Sequence, residues 1–181
     1  NLTDQDDKKK KYACLALRLA ASNGHLAVCQ WLVQYFKITT LEQQGAFDAL
    51  KYAAENGHLE ICQWLTNNFQ IGRPFSRMVT RNYYDIFDNT AKNGHLTVYQ
   101  WLTQHFKLTV REVQIEGREA LCTAAEYGHL EMCQWLAQHF KLTIADARKR
   151  GNYALRRAAE NGHLPVCQWL ASHFKLTTED A

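Results

Sequence analysis

Asn161-Gly162-His163-Leu164-Pro165-Val166-Cys167-Gln168-Trp169-Leu170 is one of five copies of a single phrase in this chain. The Gly-His pair recurs at Gly24-His25, Gly57-His58, Gly94-His95 and Gly128-His129. Gln-Trp-Leu follows at a constant distance, as Gln30-Trp31-Leu32, Gln63-Trp64-Leu65, Gln100-Trp101-Leu102, Gln134-Trp135-Leu136 and Gln168-Trp169-Leu170. Histidines at 25, 58, 95, 129 and 163 stand 33, 37, 34 and 34 residues apart. A fixed period of this size is the signature of a stacked array, in which each unit buries its apolar face against its neighbours.

Each unit reads as two helices. In the first, an apolar residue is followed three and four positions later by small ones (Leu17, Ala20, Ala21; Leu155, Ala158, Ala159), which makes one narrow face for close helix packing. Asn-Gly ends that helix, because Gly accepts the left-handed conformation of a helix C-terminus. The second helix, about 26 to 36 in the first unit, is apolar at 26, 28, 29, 31, 32, 33 and 36. That is wider than one stripe, so both neighbouring repeats are expected to cover it.

The run Ala-Ala-x-x-Gly-His (Ala20-Ala21 to His25, Ala53-Ala54 to His58, Ala124-Ala125 to His129, Ala158-Ala159 to His163, with Thr90-Ala91 in the third unit) and the apolar helix after it resemble the ankyrin repeat family. The resemblance covers nearly the whole chain. It implies a protein-binding array that uses its concave surface, and Gly-His histidines that hydrogen-bond across neighbouring turns. Two departures stand out. Tyr153-Ala154-Leu155-Arg156 and Leu15-Ala16-Leu17-Arg18 occupy the place of the family's Thr-Pro-Leu-His. Phe36, Phe69, Phe106, Phe140 and Phe174 stand where the family closes its second helix with Gly. Both argue against the family's β-hairpin finger. Finger-poor arrays with an Asn-Gly-His-Leu turn are similar to multicopy families of large DNA viruses and their protist hosts.

The linkers suggest a replacement for the finger. Thr39-x-x-Glu42, Thr109-x-x-Glu112, Thr143-x-x-Asp146 and Thr177-x-x-Asp180, with Thr3-x-x-Asp6 at the start, have the form of a capping box. They predict a short third helix, or a one-turn extension into the next one. The fold expected is therefore all-α, an ankyrin-like helical solenoid of five helix-turn-helix repeats with short helical linkers. Residues 1–181 form one array, with repeats at about 13–46, 47–82, 83–117, 118–151 and 152–181. Neither end carries a polar capping repeat, so the array is expected either to continue into a longer one or to be covered at its ends.

Composition removes several function classes. The 181 residues are 46% hydrophobic with two prolines, and no apolar run approaches the roughly 18 to 20 residues a membrane span needs. With no secretory leader visible, the expected location is intracellular, cytoplasm or nucleus. Cys29, Cys62, Cys133 and Cys167 share one repeat position, and the same position in successive units lies about 8 to 10 Å apart, too far for a disulfide. They read as small buried hydrophobes, and Cys14 and Cys122 lie in first helices. Eight histidines and six cysteines raise the question of a metal, yet no Cys-x-x-Cys or His-x-x-x-His occurs, and ligands spaced by a repeat cannot converge on one ion. His105, His139 and His173 near second-helix ends are expected to favour the negative helix terminus. Without a phosphate loop, a nucleophile elbow or a carboxylate pair, no catalysis and no cofactor are expected.

Net charge is only +3, and Lys8-Lys9-Lys10-Lys11, balanced by Asp6-Asp7, reads as a solvated helix face rather than a nucleic-acid patch. The five tryptophans could be a stacking platform for RNA bases, as in other helical arrays. Their fixed helical position favours packing between repeats, and acids on the inner helices disfavour phosphate.

What remains is a protein partner, with end-to-end self-association as the runner-up. Recognition is expected where the repeats differ. Leu19, Tyr52, Asn89, Thr123 and Arg157 hold one such position of the first helices, and Ser22, Glu55, Lys92, Glu126 and Glu160 hold another near their ends, with Tyr127 replacing the repeated Asn. The linker before the third repeat is three residues longer than the period requires and adds Arg73, Arg77, Arg81, Tyr83 and Tyr84. Arg and Tyr dominate binding hot spots. In that repeat the first helix is expected from about Asp85 to Thr90.

Overall fold

A computed structural model describes the backbone of residues 2–39, 43–72, 77–107 and 110–177, and the side chains of 9–39, 44–72, 85–107 and 117–177. Among the described residues all regular structure is helical, with no strand: α1 (Leu2–Ser22), α2 (Leu26–Phe36), α3 (Gln43–Glu55), α4 (Leu59–Phe69), α5 (Arg77–Lys92), α6 (Leu96–Phe106), α7 (Val110–Glu126), α8 (Leu130–His139), α9 (Ile144–Ala147), α10 (Lys149–Glu160) and α11 (Leu164–His173). The fold is an all-α helical solenoid of ankyrin type, and the linkers carry no β-finger where they are described. Contacts divide the chain into two compact units, residues 1–86 and 87–181.

In the first unit α1 packs on α3 and each first helix packs on its own second helix; in the second unit α7 packs on α10 in the same way. The narrow faces behave as their spacing requires. Leu17, Ala21, Leu50, Ala53, Ala54, Ala124 and Ala125 are fully buried, because alanine at the helix contact lets the backbones approach. Glycine extends the device. A Cβ on Gly45 would lie 2.8 Å from Cys14 Sγ, and one on Gly117 would lie 2.6 Å from the Phe140 ring. Thr66 and Thr103 enter the core because their hydroxyls donate back to carbonyls of the preceding turn, Cys62 and Gln63 for the first and Gln100 for the second.

Every first helix ends in the same hydrogen-bonded turn. Gly128 N donates to Ala125 O at 3.2 Å, and His129 N reaches five residues back to Ala124 O at 2.9 Å. Equivalent pairs occur at Gly24, Gly57, Gly94 and Gly162, all with positive φ. This six-to-one and five-to-two pattern satisfies carbonyls that the helix end would leave orphaned.

The second helix is closed in a way the sequence hides. Its left-handed residue is not the Phe standing in the family's Gly position but the next one: Lys37, Gln70, Lys107, Lys141 and Lys175 have φ between 46 and 51°. The following apolar residue donates to the carbonyl five back, as Ile38 N to Val33 O and Leu142 N to Ala137 O, and Ile38, Ile71 and Leu142 are buried under the turn. A non-glycine residue costs about 1–2 kcal/mol in that conformation. Lys141 is exposed and its side chain is dispensable to the core. Lys141→Gly is therefore expected to raise stability by about 0.5–1 kcal/mol in urea unfolding, after the entropy of the more pliant unfolded chain is subtracted.

The linkers take both expected forms. Thr143 precedes the separate short helix α9, and the Asp146 carboxylate accepts from the Thr143 amide at 3.0 Å and from its hydroxyl at 2.8 Å. Burial would raise the Asp146 pKa, but these bonds and Arg118 outweigh it and hold the carboxyl below its ordinary range. After α9, Arg150, Gly151 and Asn152 form a left-handed turn. In α7 the linker instead runs straight into the first helix. Thr3 does not precede a helix, since α1 already begins at Leu2. Glu42, Thr109 and Asp180 lie outside the described residues, as do the side chains of Glu112, Thr3 and Asp6.

The third repeat also differs from expectation. Its first helix begins at Arg77 rather than near Asp85, so most of the longer linker is helical. After Pro74 the sequence contains neither Pro nor Gly until Gly94, and nothing in it stops a helix from starting early.

Candidate protein-binding surface

The variable positions sit on the first helices: Leu19 and Ser22 on α1, Tyr52 and Glu55 on α3, Asn89 and Lys92 on α5, Thr123 and Glu126 on α7 with Tyr127 just beyond it, and Arg157 and Glu160 on α10. In the first unit the Arg18 guanidinium lies 5.2 Å over the Tyr52 ring, and Asn56 Nδ2 donates to Ser22 Oγ at 3.2 Å. Leu19 beside them is 58% exposed.

In the second unit the same positions are laced together. Thr123 Oγ1 donates to Asp88 Oδ1 at 2.7 Å, and the Lys92 ammonium lies 5.2 Å over the Tyr127 ring. Arg157 donates to Glu160 Oε2 at 2.6 Å and to the Glu126 carboxylate of the preceding repeat, and its guanidinium also lies over Tyr153. Arg157 stays protonated, held by Glu126 first and Glu160 second. One guanidinium thus serves both acids, which leaves this surface closer to neutral than a count of its glutamates suggests.

The sequence reading missed the partners. Arg18 and Asp88 hold one register position, seven residues before the repeat histidine, which reads Arg18, Lys51, Asp88, Cys122 and Arg156 along the chain. That position varies as much as those singled out, so variation was the available signal. Lys51 there pairs with Asp85 at 3.2 Å. Arg73 lies outside the described residues, and Arg77, Arg81, Tyr83 and Tyr84 lie on α5 with side chains outside them.

The Gly-His histidines bind across turns. His58 Nε2 is 3.1 Å from Ser22 O and His129 Nε2 is 2.7 Å from Lys92 O, each over the glycine turn of the repeat before it. His105, His139 and His173 lie in the last turns of their helices, where they also make ring contacts. Their rings stack on Trp101, Trp135 and Trp169, four residues earlier, with centroids 4.9, 4.3 and 4.9 Å apart, and each meets the next Phe edge-on. Burial lowers the His139 pKa from its ordinary value of 6.5, which favours the neutral ring.

Burial pushes the thiols of Cys29 and Cys122 up to about 11, and those of Cys62 and Cys133 up to about 12, so they remain protonated packing groups. Among the described residues no three His, Cys, Asp or Glu side chains come together as metal ligands, and no helix is long and apolar enough to cross a membrane.

No curated protein matches the chain. A family profile described as ankyrin repeats (3 copies) matches residues 1–74 and 88–180. Repeats of this kind are in general protein–protein interaction modules, typically without catalytic activity. With the match extending over most of its length, the chain belongs to the ankyrin repeat family.

Proposed function

We propose that this chain is an intracellular scaffold whose five repeats act as one array and bind a protein partner through the variable positions of the first helices, together with the segment before the third repeat. The observation that carries the reading is the lacing of those positions to each other. Thr123 to Asp88, Lys92 to Tyr127 and Arg157 to Glu126 each join one repeat to the next. Side chains held this way lose little rotamer freedom on binding, so their contacts translate more fully into affinity. Tyr127, 43% exposed above Lys92, supplies an aromatic anchor of the kind interfaces favour.

The segment before the third repeat carries Arg73, Arg77, Arg81, Tyr83 and Tyr84, more Arg and Tyr than the linkers before the other repeats. Immobilised chain would capture the partner from source-cell lysate, and titration calorimetry on the purified pair gives the affinity. Replacing Tyr83 and Tyr84 together by Ala is expected to weaken binding by more than about 2 kcal/mol, with the melting curve of the free protein unchanged. Unaltered affinity would remove this segment from the interface. Affinity lost together with the fold would make it a packing element.

A further inference from the structure

We propose that Asn23 and Asn93 are covalent modification sites, at which the side-chain amide cyclises onto the nitrogen of the following glycine and loses ammonia when the covering repeat lifts off. The folded array holds this chemistry back, so the two turns record how often their joints open.

Four of the five first helices end in Asn-Gly, at Asn23, Asn56, Asn93 and Asn161, and the fourth repeat has Tyr127 in that place. Asparagine before glycine is the pair in which cyclisation is least hindered, because glycine puts no Cβ beside the attacking nitrogen. The step is a substitution at the asparagine Cγ. The glycine nitrogen gives its proton to solvent hydroxide and bonds to Cγ, the Cγ–Nδ2 bond breaks, and ammonia departs to leave a five-membered succinimide. Water opens that ring at either carbonyl, giving aspartate, or isoaspartate with the backbone running through the former side chain. Nothing is oxidised or reduced, and water is the only co-reactant.

Three features of the folded turn oppose the reaction. The nucleophile is engaged: Gly24 N donates to Ala21 O at 3.3 Å and Gly94 N to Ala91 O at 3.2 Å. The backbone angle is wrong, since ring closure needs that nitrogen eclipsed with Cβ, a third of a turn in ψ from the 5° of the equivalent Asn161. The third is the histidine of the next repeat. His58 Cε1 lies 2.8 Å from the point where a Cβ on Gly24 would sit, and His129 Nδ1 lies 2.5 Å from that point on Gly94. Their Nε2 atoms also stand 3.1 Å from Ser22 O and 2.7 Å from Lys92 O, the carbonyls bonded to Asn23 N and Asn93 N. Cyclisation therefore waits until the histidine leaves and the turn unwinds.

The product cannot rebuild the turn at Asn23. Its Nδ2 donates to Leu19 O at 2.7 Å, so a carboxylate in its place sets acceptor against acceptor at the negative end of α1. Isoaspartate adds a carbon to the backbone between Ser22, which His58 holds, and Gly24. Ser22 and Lys92 belong to the candidate binding surface, so the modification disturbs that surface as well as the joint.

Peptide mass spectrometry of the full chain, incubated at mildly alkaline pH, reads conversion at each asparagine. Conversion at Asn23 and Asn93 is expected to be about a hundredfold or more slower in the native chain than in guanidinium-unfolded chain. His58→Ala is expected to speed Asn23 about tenfold and leave Asn93 unchanged, and His129→Ala to do the reverse. Amide exchange at Gly24 and Gly94 of the wild-type chain measures the open population independently, and the native conversion rate is expected to match the unfolded rate multiplied by that population. That comparison decides the matter even where a histidine variant fails to fold. Equal rates in native and unfolded chain overturn the proposal, as does a native rate far above that product. A folded variant in which both asparagines speed up equally also overturns it, because the covering histidine is then not what holds each turn.

Discussion

Gly128→Ala is expected to lower unfolding stability by about 3 kcal/mol, and the same change at Gly162 by about 1 kcal/mol, although the two glycines occupy equivalent turns. Both have left-handed φ, 80° at Gly128 and 77° at Gly162, so alanine meets the same backbone penalty at each. The surroundings differ. A Cβ on Gly128 would lie 2.5 Å from His163 Nδ1 and 2.7 Å from its Cε1, closer than van der Waals contact allows, so the ring or the turn would have to shift. A Cβ on Gly162 meets nothing within 4 Å. The backbone term is about 1–2 kcal/mol before the unfolded-chain entropy favouring alanine is subtracted, and overpacking adds roughly 1–3 kcal/mol where a neighbour must move. Urea unfolding of the two variants separates these terms. Equal losses would mean that the histidine yields without cost and that the turn is held by backbone conformation alone.

Those turns were also the most legible part of the chain. Asn-Gly-His at a fixed period states where each first helix stops, and because the repeats stack in register, the same spacing states which residues meet. Ala20-Ala21 and its equivalents were readable as a contact face because only a small side chain allows that approach. The closing turn of the second helix was not readable, since lysine in a left-handed conformation leaves no compositional mark. The only hint was the buried Ile or Leu that follows it, at Ile38, Ile71 and Leu142. At His139 the position at a helix end was legible, but the stacking of its ring on Trp135, four residues earlier, was not read from the spacing. At the candidate surface, variation among repeats located the positions but not their pairing. Thr123 with Asp88 and Arg157 with Glu126 join neighbouring repeats 35 and 31 residues apart in sequence.

Trp135→Ala is expected to cost about 3 kcal/mol, and Trp31→Ala about 1 kcal/mol. The sequence assigned the five tryptophans to packing between repeats, and the structure divides that role. Within its own helix each ring lies against the next aromatic residues: Trp31 stacks on Tyr35 at 5.0 Å, and Trp135 stacks on His139 at 4.3 Å and meets Phe140 edge-on at 5.9 Å. Trp135 adds the edge-on contact with Tyr99 of the preceding repeat, where Tyr99 is fully buried. Trp31 is 54% exposed, so its removal forfeits one helix's local stacking and little buried area. Full burial of a tryptophan is worth about 3–5 kcal/mol on truncation, and the partial exposure of Trp135 places it at the lower end. Because an array's stability is a sum of repeat and interface terms, loss at Trp135 weakens the joint between the third and fourth repeats as well as the fourth repeat itself. Amide exchange should register this as faster exchange in α6 and α8 together, while Trp31→Ala affects α2 alone. A small, confined effect at Trp135 would assign the tryptophan ladder to the individual helices and leave Tyr99 packed by other neighbours.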